Sequence, residues 1–185
     1  GHDGMEPYGP GQTIIIWTVV DGSGNSASCS QILEVNTDDD ESPMVTCPSD
    51  ITVDTDAGEC EATGVDLGMI MSSDNCGVVS EVNDGVEPYA LGVTTVIWTV
   101  SDANGNSTTC AQSVTVEDNE LPTVTCPSDI TIDAEPGECE VSSVNLGNAI
   151  SSDNCSISSE GHDGMEPYGP GQTIIIWTVV DGSGN

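Results

Sequence analysis

The sequence predicts an all-β chain of tandem antiparallel β-sandwiches stapled by disulfides. Three observations lead there: apolar residues alternate with a period of two, long segments recur at a step near 80 residues, and eight cysteines keep that step. With no Phe, three Trp and three Tyr, the chain cannot fill one large core. Small units, each held by a covalent staple, suit such a composition.

The charge balance narrows the partners before any motif is read. The 185 residues contain 32 Asp and Glu and no Lys or Arg, a formal net charge of -32. An ordinary globular chain carries both signs, but here no carboxylate has a basic side chain to meet. Nucleic acid and anionic membrane surfaces are excluded as partners, because both are bound through Lys and Arg. Cations are the natural partners. High net charge with few aromatics is also a mark of disorder, yet the alternating Val and Ile and the spaced cysteines argue for packed units. The longest apolar stretch, IIIWTVV at 14–20, is far too short to cross a bilayer, so no membrane insertion is expected. An even cysteine count at fixed spacing points to an oxidising setting, extracellular or at the cell surface.

Repetition sets the architecture. TCPSDIT occurs at 46–52 and again at 125–131, a step of 79, and the same step links Cys60 to Cys139, Cys76 to Cys155 and Trp98 to Trp177. Trp17 and Trp98, like Cys29 and Cys110, stand 81 apart, and residues 1–25 are identical to 161–185, a step of 160. Two non-identical units therefore make one higher period. The expected domains are 1–38, the C-terminal part of one unit; 42–118, a complete unit; and 121–185, a third unit truncated before its last strand. Such a stretch is expected from a longer tandem array or from a repetitive filament.

Within the complete unit the first strand region places Val45, Cys47 and, past Pro48, Ile51 and Val53 on one face. Further on, Val96, Trp98 and Val100 share a face opposite Ile97 and Thr99, and Thr108, Cys110, Gln112, Val114 and Val116 form another alternating run. Alternation of this kind reads as half-buried strands. DANGN at 102–106 and DGSGN at 21–25 carry the Gly and Asn of hairpin turns. No segment has helical periodicity. Short strands with frequent turns in a unit of about 80 residues predict an antiparallel sandwich of immunoglobulin type.

These residues also carry a family resemblance. The order CPSDI, GEC, SSDNC, EPY-x-x-G, a Trp-bearing strand ending in D-x-x-GN and a final Cys resembles the HYR, or hyalin repeat, module. The complete unit presents it as Cys47-Pro48, Gly58-Glu59-Cys60, Asp74-Asn75-Cys76, Gly92, Asp102, Gly105-Asn106 and Cys110. The resemblance implies an immunoglobulin-like extracellular module, found in tandem in adhesive, matrix and surface proteins, with no catalytic residues to carry over. The absence of Lys and Arg is this chain's own feature and favours an ionic role.

Four cysteines in a unit allow three connectivities. If the first and last strands lie parallel at an edge, Cys47 and Cys110 meet, which leaves Cys60 to pair with Cys76. Cys29, Cys126, Cys139 and Cys155 are the corresponding disulfide candidates of the flanking units. A zinc site is the weaker reading, since no C-x-x-C pair occurs.

The junctions NTDDDESP at 36–43 and VEDNELP at 116–122 resemble the Asp- and Asn-rich linkers that hold calcium between cadherin-like domains. Calcium takes six to eight hard oxygen ligands in a flexible shell, which suits consecutive acidic residues better than magnesium's strict octahedron does. The candidate ligands are Asp38, Asp39, Asp40 and Glu41 facing Asp74 and Asp102, and Asp118, Asn119 and Glu120 facing Asp153 and Asp181. Asp56 and Glu59 are expected to approach the second junction from the preceding unit. The plain alternative is that the acidic linkers are solvated spacers and that Asp74 and Asp153 only close turns.

Two sequons, at Asn106 and Asn154, satisfy the glycosylation pattern. Asn106, at a hairpin tip, is expected to be accessible, and Asn154, next to a cysteine, less so. His2 and His162 are expected to be surface residues. Tyr8, Tyr89 and Tyr168 each follow Pro and either form a sugar-stacking platform or seal the end of the sandwich. No nucleophile stands beside a base and no long insertion builds a cleft, so no enzyme is expected. The function expected is structural: a calcium-stiffened fibre, filament or adhesin stalk whose partners are its own repeats and cations. A module that binds glycan or protein through its loops is the alternative.

Overall fold

The computed structural model describes residues 1–3, 7–36 and 38–185, and every regular element among them is a strand. Thr37 of the first junction lies outside the described residues.

The chain begins with a hairpin of β1 (Gly11–Val20) and β2 (Ser26–Val35), in which Trp17 stands opposite Cys29. Asp21 organises the turn. Its Oδ1 accepts the amides of Ser23 and Asn25 at 2.8 and 2.9 Å, and its Oδ2 accepts Asn25 Nδ2 at 2.8 Å. Gly24 takes φ +89° here, a conformation that a side chain disfavours.

The complete unit runs from β3 (Met44–Thr46) to β10 (Ser107–Glu117). Its larger sheet has the order β4 (Ile51–Asp54), β10, β9 (Gly92–Asp102) and β7 (Val78–Asn83). β4 runs parallel to β10, and the other pairs are antiparallel. Two short ladders complete the unit, β3 with β6 (Met71–Ser73) and β5 (Glu61–Ala62) with β8 (Tyr89–Ala90). The period of two now has its physical meaning: Val96, Trp98 and Val100 on β9 and Val114 and Val116 on β10 turn inward. They pack with Ala62, Ile70 and Tyr89 to form the core, each apolar side chain contributing roughly 1.5–3 kcal/mol.

One polar residue sits at the centre of this core. Gln112 is 1% exposed, and it is fully engaged: its Oε1 accepts Trp98 Nε1 at 3.0 Å, while its Nε2 donates to the Ser49 and Leu67 carbonyls at 2.7 and 3.0 Å. A buried amide with all its partners ties loop backbone to sheet, whereas an unpaired one would destabilise the fold. The equivalent pair in the first hairpin, Trp17 Nε1 and Gln31 Oε1, meets at 2.9 Å in an exposed setting.

The third unit repeats part of this pattern. β11 (Thr123–Thr125) pairs with β12 (Ile150–Ser152), and β13 (Ile157–His162) pairs with β14 (Trp177–Asp181). Thr123 faces Ser152 as Met44 faces Ser73, one repeat earlier.

The disulfides correct one expectation. Cys47 bonds Cys110, with Cα atoms 5.8 Å apart, where parallel β4 and β10 bring the start and end of the unit together. Cys60 bonds Cys155 of the next unit, with Cα atoms 4.8 Å apart, and does not pair with Cys76. The reason is position. Asn75, beside Cys76, reaches Asp39 in the first junction, whereas Gly58 and Glu59, beside Cys60, contact Glu120 and Asn154 at the second. The two cysteines serve opposite ends of the unit. Cys29, Cys76, Cys126 and Cys139 are exposed thiols outside these two bridges.

Candidate metal centres at the unit junctions

Each junction gathers three aspartates from three separate stretches of chain. Asp39 comes from the linker, Asp74 from the loop after β6, and Asp102 from the end of β9; one carboxylate oxygen of each lies within 4.8 Å of the others. At the second junction Asp118, Asp153 and Asp181 repeat the arrangement within the same limit. Asp102, Asp118 and Asp181 are buried, at 4%, 4% and 1% exposure.

The three members of a cluster are anchored differently. Asp102 caps the β9–β10 turn: its Oδ1 accepts the amides of Asn104, Gly105 and Asn106 at 2.8–2.9 Å, and its Oδ2 accepts Asn106 Nδ2 at 2.8 Å. Asp181 does the same with Ser183, Gly184 and Asn185. Burial pushes both carboxyls up, but the Asn106 and Asn185 side chains and the turn amides outweigh it, holding each below its ordinary value of 3.8. Both therefore stay ionised. Asp74 Oδ2 accepts the amides of Cys76 and Gly77 at 2.9 and 3.0 Å, and Asp153 Oδ2 those of Cys155 and Ser156 at the same distances.

The opposite oxygens of these groups are left over. Asp39 Oδ2, Asp74 Oδ1, Asp153 Oδ1 and Asn154 Oδ1 are buried with no hydrogen-bond partner. A buried carboxylate oxygen without a donor is costly unless a cation meets it. The donor set is all oxygen, which suits a hard divalent cation and gives a soft metal no thiolate or imidazole.

Asparagines close each cluster against the neighbouring segments. Asn106 Nδ2 donates to the Asp39 carbonyl at 2.9 Å, and Asn185 Nδ2 to that of Asp118 at 2.9 Å. Asn75 Nδ2 donates to Asp39 Oδ1 at 3.2 Å, and Asn154 Nδ2 to Asp118 Oδ1 at 3.3 Å. Across the second junction Asn154 Nδ2 also reaches the Glu59 carbonyl at 2.8 Å.

Within each acidic run only one candidate joins the cluster. Asp38, Asp40 and Glu41 are exposed around Asp39. Asn119 turns back to Asp54 at 2.8 Å, and Glu120 Oε2 accepts the Gly58 amide at 2.9 Å. Glu59 meets the second junction through its backbone, whereas Asp56 closes its own loop onto Thr63. Asn75 stands in the sequence only as part of the family motif and Gln112 only within an alternating strand run, and nothing local marks Asn185. The 79-residue step carries the signal for Asn185, since it places it on Asn106.

The remaining candidates have their own placements. The Asn106 sequon is half-buried, with its amide nitrogen donating to Asp39 and Asp102, so the expectation of an accessible tip is corrected. The Asn154 nitrogen is likewise engaged. Tyr89 is 2% exposed inside the core, which makes it a seal and removes it from any sugar platform. His2 packs on Trp17 and His162 on Trp177, each with ring centroids 4.8 Å apart, away from both clusters.

Known proteins give this geometry a family. Over 95% of its length the chain is similar to hyalin of Strongylocentrotus purpuratus, with 33% identity, covering 15% of that protein. All of the chain matches hyalin of Lytechinus variegatus at 29% identity, covering 36% of it. Similarity also extends to the sushi, von Willebrand factor type A, EGF and pentraxin domain-containing protein 1 of Rattus norvegicus, at 26% identity over 80% of the chain and 4% of that protein. The chain thus spans a minor part of each relative it matches. Residues 38–116 match the HYR domain family, and with its immunoglobulin-like strands and its disulfides this unit of the chain belongs to that family.

Proposed function

We propose that this chain is a structural module of an extracellular tandem-repeat fibre, filament or adhesin stalk, and that calcium held at its unit junctions stiffens it. The observation that carries the reading is the set of buried, unpartnered oxygens of Asp39, Asp74 and Asp153 within the two aspartate clusters. Three neighbouring carboxylates relieve their repulsion by taking up a proton or a cation. Asp102 and Asp181 are held ionised by their turn amides, and no Lys or Arg exists in the chain to neutralise them. A bound cation is the remaining source of positive charge.

Each cluster joins a linker aspartate to two loops of the following unit, so a cation there fixes the linker's direction. The preceding unit reaches the second junction through the Glu59 carbonyl and the Gly58 amide. Cation binding therefore links directly to the angle between units. Two disulfides support an oxidising setting, and the relatives named hyalin support an adhesive, extracellular role.

Small-angle scattering and calorimetry of the protein, in calcium and then in excess chelator, test the reading. The expected result is a shorter maximum dimension and a melting temperature lower by about 3 °C or more in chelator. If chelator changes neither quantity, the junction aspartates are solvated spacers and the calcium reading fails.

A further inference from the structure

The Cys60–Cys155 bridge joins consecutive units, and its two positions recur elsewhere in the chain as thiols. Cys139 stands 79 residues after Cys60, and Cys76 stands 79 before Cys155; both are exposed and lie outside the two bridges. We infer that Cys139 and Cys76 are the outgoing and incoming halves of this same inter-unit bridge. Each is closed by the matching cysteine of another HYR unit: Cys139 by one in an S-S-D-N-C segment, Cys76 by one in a G-E-C turn.

The local geometry is already that of the formed bridge. The Cys76 amide donates to Asp74 Oδ2 at 2.9 Å, as the Cys155 amide does to Asp153 Oδ2 at 2.9 Å. Asn75 reaches Asp39, and Asn154 reaches Asp118, in the same way. On the other side, the turn leading to Cys60 is closed by the Glu59 amide on the Asp56 carbonyl at 2.9 Å. The turn leading to Cys139 is closed by the Glu138 amide on the Glu135 carbonyl at 2.9 Å. Both thiols are thus presented on backbone shaped for the bond. Pairing of Cys76 with Cys60 inside the unit is not open, since Cys60 is committed across the junction.

A covalent rung at each junction beside an aspartate cluster would make every joint of an array doubly closed, and the rung does not depend on the cation. The chemistry is a two-electron oxidation. Two thiols lose two protons and two electrons to form one S–S bond, and glutathione disulfide takes them up as its own S–S bond breaks to give two glutathione thiols.

The test is disulfide mapping of the native, unreduced protein after incubation with glutathione disulfide. Thiols are blocked with iodoacetamide, and the chain is cut with chymotrypsin after Met, Leu, Tyr and Trp, because trypsin has no site in it and cleavage at Glu would leave Cys60 and Cys139 on the same Cys-Glu dipeptide. The inference predicts Cys139-bearing peptides linked to an S-S-D-N-C peptide, Cys76-bearing peptides linked to a G-E-C peptide, and alkylated forms of both reduced to background. Unreduced electrophoresis locates the partner unit: multiples of the chain mass assign it to a second copy, and a single chain mass assigns it to the same chain. Recovery of Cys76 joined to Cys60, or of Cys76 and Cys139 as alkylated thiols or glutathione adducts, overturns the inference.

Discussion

Asn154 donates its side-chain amide to the Glu59 carbonyl across the boundary between two units, at 2.8 Å. The same nitrogen lies 3.3 Å from Asp118 Oδ1, so one residue joins the preceding unit to the aspartate cluster of the next. The Cys60–Cys155 bridge sits one residue away on both strands of this contact. The joint is therefore built from hydrogen bonds, a disulfide and carboxylates at a single place.

Replacing Asn154 tests that joint. Asn154→Ala removes the amide and is expected to lower stability by about 1 kcal/mol. Asn154→Asp adds a carboxylate beside Asp118 and is expected to destabilise more in chelator and to recover in calcium. Calorimetry of both variants with and without calcium checks this, and equal loss in both conditions would separate the amide from any cation.

Gln112 offers an internal comparison. Gln112→Leu leaves Trp98 Nε1 and the Ser49 and Leu67 carbonyls without their partner, and it is expected to cost roughly 3 kcal/mol. Gln31→Leu, at the equivalent but exposed place in the first hairpin, is expected to stay within about 0.5 kcal/mol. Urea denaturation of the two variants measures the contrast.

Acid should weaken the fold in a defined window. Asp102 and Asp181 have folded-state values below their ordinary 3.8 despite burial, because turn amides and asparagine side chains hold the ionised form. Their contribution is complete above the ordinary value and is lost as pH falls through the lower folded one. Stability in chelator, measured by denaturant titration from pH 7 to pH 2, is expected to fall in that acidic range, and Asp102→Asn is expected to flatten the fall.

Cys76 reports the field of the first cluster. Desolvation of its thiol, then the charge of Asp39 and its hydrogen bond, then Asp74 and Asp102, hold it above the ordinary 9.0. Few thiolates exist at neutral pH, and alkylation is expected to be slow. In the reduced protein, where Cys76 is a thiol, a divalent cation on the three aspartates cancels most of that field, so calcium is expected to speed Cys76 alkylation several-fold. Unchanged labelling kinetics, read by mass spectrometry in calcium and in chelator, would count against a cation there.

How much of this was legible in the sequence depends on how local each cause is. The inward faces of Val96, Trp98 and Val100 follow from the period of two, because a strand's side chains alternate whatever surrounds them. Asp74 and Asp102 were legible as cluster partners, because loops at one end of a sandwich meet the linker. The choice of Asp39 from Asp38, Asp39 and Asp40 was not, since adjacent residues on an extended linker point different ways and only the packed loops select one. Cys60 with Cys155 lay one step further: Glu59 beside Cys60 belongs to the second junction and Asp74 near Cys76 to the first, so the two cysteines of the unit stand at opposite ends and Cys60 meets the next unit's counterpart of Cys76. Gln112 shares the alternating face of Cys110, Val114 and Val116, and Trp17 and Gln31 stand 14 apart just as Trp98 and Gln112 do, a repetition that carries the clue to their pairing.

Calcium titration of the 185-residue chain by isothermal calorimetry, beside variants that convert Asp39, Asp74 and Asp102, or Asp118, Asp153 and Asp181, to Asn, tests the central claim most directly. The account predicts binding in the range of about 10⁻⁴–10⁻³ M, as in extracellular modules, with each triple variant losing the heat of its own junction and keeping that of the other. Binding that survives both variants unchanged, or no binding by the unaltered chain, would contradict it.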